Sequence, residues 1–242
     1  MIAMLKTDYS MLQRVSFRKW YRNMSERGRV RYPAVCSCFL PLIVHFIIAQ
    51  AADLVLAQTG GAGSPDSAAG VSVLTSAVCI PLFALWLRSE EKFREEKAAG
   101  ADRTAWICLA FVCGAALSLL WGGCSTFFRL SDFFSDNVQE RLFSASLPLQ
   151  ILGPGLLAPV CEELLFRGLM FRIWTREFSR RSGILIVSLA FALYHGNPLQ
   201  FLYAFPMGLV MQYFLEKGGS LACPAACHMA ANLTSILAES IL

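Results

Sequence analysis

Long apolar stretches recur along this chain of 242 residues, and short polar segments separate them. An apolar run of about 17 to 25 residues is long enough to cross a bilayer as a helix. The pattern predicts seven such spans, at about residues 34–57, 69–87, 105–128, 146–171, 183–197, 199–215 and 221–241. The fifth and sixth are short and meet at Gly196-Asn197-Pro198, so one of them is expected to be re-entrant or strongly tilted. The predicted fold is all-α, a polytopic membrane helix bundle of about seven transmembrane helices.

The composition agrees with a membrane protein. Hydrophobic residues make up 56% of the chain and charged residues 16%, whereas a soluble domain carries about 25% charged residues. Residues 1–32 are polar and basic, without the short apolar core and small-residue cleavage site of a signal peptide. We therefore expect a basic cytoplasmic N-terminal segment at 1–32 and a transmembrane helical domain at 33–242.

Basic residues alternate between the predicted loops. Because cytoplasmic loops carry the excess of Lys and Arg, this alternation predicts a cytoplasmic N-terminus, and seven spans would put the C-terminus outside. The first loop (60–67) has no basic residue, and the third (129–141) balances its arginines with acids. The basic segments contain Lys6, Arg14, Arg18, Lys19, Arg22, Arg27, Arg29 and Arg31; Arg88, Lys92, Arg94, Lys97 and Arg103; and Arg172, Arg176, Arg180 and Arg181.

The net charge of +4 does not require nucleic acid as a partner. The basic residues lie where the anionic headgroups of the lipid bilayer would meet them, so the bilayer is the predicted partner and nucleic acid is not. The nine cysteines are an odd number without a CxxC pair, which argues against a disulfide framework and against a cysteine zinc site. A thiolate metal site at Cys223 and Cys227, beside His228, is the alternative.

The most informative feature of the sequence is a pair of adjacent glutamates, Glu162 and Glu163, inside an apolar run. One charged side chain at the centre of a bilayer costs about 2.5 to 3.5 kcal/mol on insertion scales, and neighbouring carboxylates repel each other. Arg167 follows Glu163 at i+4 and can neutralise one carboxylate. Pro154 and Pro159 remove backbone donors just before the pair, so we expect a bend or a new helical segment there, with access for water.

Further polar residues lie in the fifth and seventh predicted spans. Phe191 and His195 are four residues apart, as are His228 and Asn232, so each pair shares a helix face. Intramembrane ionisable residues usually face the bundle interior and mark a functional path. These positions and the glutamates define a predicted functional core at 145–240.

A carboxylate, two imidazoles and a carboxamide in one cavity form a hydrolytic set. A glutamate acts as a general base on water, one histidine shares the water or shuttles its proton, and the other histidine with the asparagine donates to an oxyanion. Two alternatives stay open. Glu162, His195 and His228 can instead hold a catalytic zinc with an open position for water, and Glu163 with Arg167 can be a purely structural ion pair. His45 is interpreted as a helix-packing hydrogen bonder.

Other intramembrane protease chemistries lack their residues in this sequence. It contains no HExxH pair, no GxSxG elbow and no Walker lysine loop. Asp53 is the one aspartate well inside a predicted span, so no aspartyl dyad is available.

Three motifs in this order resemble a known family. Glu162-Glu163-Leu-Leu-Phe-Arg167-Gly168 is similar to the EExxxRG motif of the CAAX-protease and bacteriocin-processing family of intramembrane endopeptidases, which includes the type II CAAX prenyl endopeptidases. Phe191 to His195 matches its FxxxH motif, and His228 to Asn232 its HxxxN motif. The resemblance covers roughly residues 145–240, while the first 130 residues are similar only in being apolar spans.

The resemblance implies roles for these residues. Glu162 would be the general base, working with His195 on water, and His228 and Asn232 would be the oxyanion donors. Glu163 and Arg167, and with them Phe191, would be structural or would position the substrate. The substrate would be a peptide or a membrane protein, and metal dependence is argued both ways for the family, so zinc remains open.

The chain is short for a eukaryotic CAAX protease, and its basic lead-in is not part of the family pattern. Both departures favour a bacterial member, in the plasma membrane, whose substrate is not a prenylated CAAX protein. Two other functions remain open from the sequence. One is a non-catalytic peptide-binding or bacteriocin-immunity membrane protein, and the other is a small transporter or proton channel, although an inverted repeat is not found.

Overall fold

The structure is a computed structural model, and it describes residues 32–59, 63–89, 102–130 and 143–241. Within these residues the chain forms seven main helices and no strand. The predicted N-terminal segment, apart from Tyr32, lies outside the described residues. The helices are α1 (Tyr32–Gln58), α2 (Ser67–Ser89), α3 (Arg103–Phe127), α4 (Leu147–Thr175), α5 (Arg180–Tyr194), α6 (Pro198–Gly218) and α7 (Ala222–Ile241).

The all-α fold predicted from the sequence is confirmed for the described residues. Four of the helices are long and apolar enough to cross a membrane: Val35–Gln58, Ser67–Ser89, Arg103–Phe127 and Leu147–Thr175. Each of the remaining three helices coincides with a predicted run, and the total of seven spans stays a prediction.

The outer surface of the bundle is apolar. Ile47, Val112 and Leu120 each expose more than half of their surface, at 63%, 64% and 64%. A water-soluble protein rarely leaves large apolar side chains exposed over an extended surface. A hydrocarbon solvent around the helices accounts for them.

Helix α4 contains two π-helical segments, one on each side of the glutamate pair. Residues 147–150, Ala158–Glu163 and Phe171–Thr175 are α-helical, while Ile151–Leu157 and Leu164–Met170 are π-helical. In the first π segment the N–H of Ala158 donates to the carbonyl of Gly153, five residues earlier. The sequence predicted a bend or a new helical segment at the two prolines. The chain continues there as one helix, in which the π-helical segment that contains Pro154 is followed by an α-helical segment from Ala158. Such π segments are frequent at functional sites.

Helix α7 packs along α3, and this pairing positions two of the predicted site residues. Gly114 of α3 lies against the backbone carbonyl of Cys227, the residue before His228. A Cβ on Gly114 would overlap that carbonyl oxygen and carbon. The close approach of the two helices thus requires glycine at this position.

Gly114→Ala is expected to destabilise the bundle by about 1 to 3 kcal/mol, the usual cost of overpacking. The matched control is Gly123→Ala on the same helix, where a Cβ would meet nothing within 4 Å. Thermal unfolding of both variants in detergent checks this. Equal melting temperatures for the two variants would contradict the close packing of α3 on α7.

Candidate active site

A cavity of about 1070 Å³ lies between the helices and brings the predicted site residues to one place. Glu162, Phe191, His195, His228 and Asn232 all line it. Helices α4, α5 and α7 contribute these side chains, so residues up to 70 positions apart in sequence share one space.

Glu163 and Arg167 lie behind the cavity wall and are almost completely buried, with 1% and 0% of their side chains exposed. Arg167 Nη1 lies 3.0 Å from Glu163 Oε1, and Arg167 Nη2 donates to the carbonyl of Gly208 at 3.1 Å. The centroid of the Phe191 ring lies 4.6 Å from the guanidinium carbon of Arg167, close enough for a cation–π contact. The arginine therefore links α4 to α5 and α6.

His228 stands between the two glutamates. Its Nδ1 lies 3.0 Å from Glu163 Oε1, the same oxygen that Arg167 contacts. Its Nε2 lies 3.9 Å from Glu162 Oε2, which is too long for a hydrogen bond. Glu162 Oε2 is buried without a hydrogen-bond partner, although 12% of the Glu162 side chain is exposed.

The charges of the two glutamates, Arg167 and His228 balance if Glu162 and His228 share one proton. Arg167 compensates the carboxylate of Glu163, because the two groups are in direct contact. The carboxyl of Glu162 then requires either its own proton or a protonated His228 beside it. An uncompensated charge in an apolar interior is costly, so the Glu162–His228 pair is the place where one further proton would balance the charge. A pair that holds one exchangeable proton can serve as base and then as acid.

His195 is held at the end of α5 by the turn into α6. Helix α5 ends at Tyr194, and the turn passes through Gly196 with φ of +66°, a conformation that favours glycine. Asn197 caps α6 by accepting from Leu199 N at 2.7 Å. His195 Nδ1 donates to the carbonyl of Phe191 at 2.8 Å, so in the neutral ring Nε2 is the acceptor.

Asn232 joins α7 to α4. Its side-chain amide donates to the carbonyl of Pro154 at 2.8 Å. In the π-helical pattern this carbonyl would accept from the N–H of residue 159, which is a proline and has none. Asn232 therefore satisfies a carbonyl that Pro159 leaves without a helical partner.

Of the seven predicted site residues, five thus line the cavity, and two, Glu163 and Arg167, lie behind its wall. Four of the five that line the cavity are the predicted catalytic set, and the fifth is Phe191, which also contacts Arg167. The structure adds a direct contact of His228 with Glu163, which the sequence analysis did not anticipate. The roles assigned to these residues stay predictions.

The cavity is also lined by residues that were not predicted as part of the site. His45 on α1, Thr75 on α2, Ser118 on α3 and Tyr203 on α6 line it. The sequence signal for such a lining residue is a polar side chain inside an apolar run. Of these four residues, the sequence analysis discussed only His45, as a helix-packing hydrogen bonder. The first three helices, which resemble the family only in being apolar, therefore enclose the site.

Zinc at Glu162, His195 and His228 also stays a prediction. The imidazole Nδ1 atoms are both engaged, with Phe191 and Glu163 respectively, so the Nε2 atoms are the ones that remain for a metal, and neutral imidazole is a common zinc ligand. Among the described residues, however, the His/Cys/Asp/Glu trio with ligand atoms all within 4.8 Å is another one, His45, Cys79 and Cys161. None of the nine cysteines, all of which lie in described residues, forms a disulfide.

Comparison with known proteins finds a family model that matches residues 144–234. This segment matches the family model described as type II CAAX prenyl endopeptidase Rce1-like. A curated relative, an uncharacterized 24.3 kDa protein of Escherichia coli, is 33% identical over 94 residues, which are 37% of this chain and 43% of the relative. The matched region thus spans less than half the length of that relative. No solved structure matches.

Proposed function

We propose that this chain, an integral membrane protein whose residues 144–234 match the family model described as type II CAAX prenyl endopeptidase Rce1-like, is an intramembrane endopeptidase that hydrolyses a peptide bond in the cavity at Glu162. The observation that carries the proposal is the convergence of Glu162, His195, His228 and Asn232 on one cavity. A water molecule and a peptide bond fit a cavity of about 1070 Å³, which is at the upper end of ligand-site volumes.

In the proposed reaction Glu162 is the general base. Its Oε2 is buried beside His228, so Oε1 is the oxygen that would accept the water proton. His195 Nε2, the acceptor nitrogen of the neutral ring, would hold the other hydrogen of the same water. The water oxygen then attacks the carbonyl carbon, and Glu162 later gives the proton to the leaving amine nitrogen as the C–N bond breaks.

The oxyanion of the tetrahedral intermediate would be stabilised by His228 and Asn232. Each has one donor committed elsewhere, to Glu163 and to the Pro154 carbonyl respectively. One N–H remains on each side chain: Nε2–H of protonated His228 and the second amide hydrogen of Asn232. Preorganised donors of this kind commonly supply the largest single catalytic contribution.

Glu163, Arg167 and Phe191 are proposed to position the site. Arg167 anchors Glu163, and Glu163 orients the imidazole of His228 through Nδ1. Fixing the ring and its tautomer through the second nitrogen is the usual function of a carboxylate behind a catalytic histidine.

The cavity is proposed to open on the face opposite the basic loops. Its lining includes Ala68 at the start of α2, Phe127 at the end of α3, Phe143 before α4 and Glu239 near the end of α7. All four belong to helix ends remote from the basic segments at 88–103 and 172–181. With a cytoplasmic N-terminus this face is extracytoplasmic, and the substrate would be a peptide or a membrane protein that reaches it from outside or from the bilayer.

The test is hydrolysis in ¹⁸O-labelled water. Purified protein in liposomes is incubated with a membrane-peptide library, with and without a chelator, and new peptide ends are identified by mass spectrometry. New carboxyl ends carrying the label are expected, because a water oxygen becomes part of the product acid. Loss of cleavage with the chelator would assign the reaction to a metal.

Two further observations complete the test. Bound but uncut peptide, with no labelled ends, would contradict hydrolysis and support a sequestering or immunity function. Cleavage by inverted but not by right-side-out membrane vesicles would contradict the outward opening while leaving the hydrolase proposal intact.

A further inference from the structure

A second cluster of reactive side chains lies deep in the bundle, apart from the proposed hydrolytic set. It consists of His45 on α1, Cys79 on α2 and Cys161 on α4. One possible ligand atom from each residue lies within 4.8 Å of the other two. Their exposed fractions are 6%, 0% and 0%. Three separate helices thus present metal-binding atoms to one buried point.

The contacts within the apolar interior leave one of these groups unsatisfied. His45 Nδ1 is buried without a hydrogen-bond partner, and its ring makes edge contacts with Phe46 and Tyr194. The thiol sulfurs of Cys79 and Cys161 lie within 4.8 Å of each other. A buried polar nitrogen without a hydrogen-bond partner is destabilising, because it loses its contact with water and gains none in return. A bound ligand that accepts the nitrogen lone pair would remove that cost.

We infer that His45, Cys79 and Cys161 bind a zinc ion. Zinc takes thiolate and imidazole ligands at about 2.3 Å and 2.0 Å, so ligand atoms of a tetrahedral site stand about 3.5 to 3.8 Å apart. The spacing of at most 4.8 Å in this cluster needs only small side-chain movements to reach these values. Binding converts two thiols to thiolates and releases two protons, while the imidazole binds neutral.

The electrostatics favour this cluster over the hydrolytic set as a metal site inside a membrane. Two thiolates and a neutral imidazole around Zn²⁺ give a complex with no net charge. One glutamate and two neutral histidines around the same ion would carry a charge of +1. A charge buried without compensation is costly, and thiolate ligands also suit zinc better than harder metals.

The position of the cluster gives the ion a route and a structural effect. His45 lines the cavity, so an ion in the cavity reaches the histidine first and the two buried cysteines behind it. Cys161 directly precedes Glu162. Zinc at this point would connect α4 to α1 and α2 beside the proposed general base. Its fourth ligand would come from the cavity.

The test uses Co²⁺ as a spectroscopic probe for zinc in untagged protein. The exposed Cys36, Cys108 and Cys124 are first replaced by serine, because surface thiols also bind cobalt. We expect about one equivalent of Co²⁺ to give sulfur-to-cobalt charge-transfer absorption, and Zn²⁺ to displace it and raise the melting temperature. No charge-transfer absorption at saturating Co²⁺, or a disulfide between Cys79 and Cys161 in freshly purified protein, would overturn the inference.

Matched variants assign the ligands. Cys79→Ser, Cys161→Ser and His45→Gln are each expected to lose the stoichiometric cobalt signal or shift it strongly. Cys38→Ser is the control, because Cys38 is equally buried but donates to the carbonyl of Met170 instead. An unchanged spectrum in the three ligand variants would overturn the assignment.

A measurement on the unaltered ligands covers variants that fail to fold. Bound Zn²⁺ is expected to protect Cys79 and Cys161, but not Cys38, from alkylation in mildly denaturing detergent, read by peptide mass spectrometry. Equal alkylation with and without Zn²⁺ would contradict the site. Glu162→Gln keeps all three ligands, so the cobalt signal is independent of the proposed hydrolysis.

Discussion

Glu162→Gln is expected to lower the rate of peptide cleavage by about 10² to 10⁴-fold, the contribution of a general base. The amide has the shape of the carboxyl group but cannot accept the water proton. The fold is expected to persist, because Glu163 with Arg167 stays neutral and His228 needs no extra proton once the second carboxylate is removed. Single-turnover kinetics with the peptide found in the library measure the rate.

The control for this substitution is Glu177→Gln, the same chemical change at an exposed position after α4. It is expected to cleave at the wild-type rate. A Glu162→Gln protein that retains more than about a tenth of the wild-type rate would contradict the assignment of Glu162 as the base. Melting temperatures of both variants separate a catalytic loss from an unfolded protein.

Arg167→Met is expected to destabilise the protein by about 3 to 5 kcal/mol, the cost of leaving one partner of a buried ion pair without the other. Arg167 is fully buried and contacts Glu163, the Gly208 carbonyl and the Phe191 ring. Methionine keeps the apolar stem but leaves the Glu163 carboxylate uncompensated. The melting temperature and the fraction of protein recovered as a monodisperse species measure the effect.

The double variant Arg167→Met with Glu163→Gln decides whether charge is the cause. It removes both charges, so it is expected to regain a large part of the lost stability. Arg176→Met, at an exposed arginine after the same helix, is the control and is expected to melt close to wild type. A double variant less stable than Arg167→Met alone would refute the ion-pair explanation.

The helices were predictable because their signal is local. Each helix in the described residues coincides with an apolar run, and hydrophobic length alone predicts a spanning helix. Helix α5 shows how far this extends. Its end near His195 was expected from Gly196-Asn197-Pro198, and the observed turn uses the positive φ of Gly196 and the cap of Asn197.

The hydrogen bonds inside the site were not predictable, because each joins residues far apart in sequence. The sequence predicted His228 as an oxyanion donor, but it did not predict the contact of His228 Nδ1 with Glu163, which lies 65 positions away. It likewise placed Asn232 beside His228, without the bond to the Pro154 carbonyl. The two prolines were expected to bend α4 or to start a new helical segment, but the π-helical pattern at Pro154, which changes to an α-helical segment at Ala158, was not predicted.

The helical class, the extent of the helices and the order of the three motifs follow from the sequence, because apolar length and i, i+4 spacing are properties of neighbouring residues. Which side chains face the cavity and which lie behind it depends on how the helices pack together. The packing also brings His45, Cys79 and Cys161 together. In the sequence each of them lies in an apolar run, where it was expected only to pack against neighbouring helices. Helix pairings with close contacts, such as Gly114 against Cys227, set these distances, and a single sequence does not specify them.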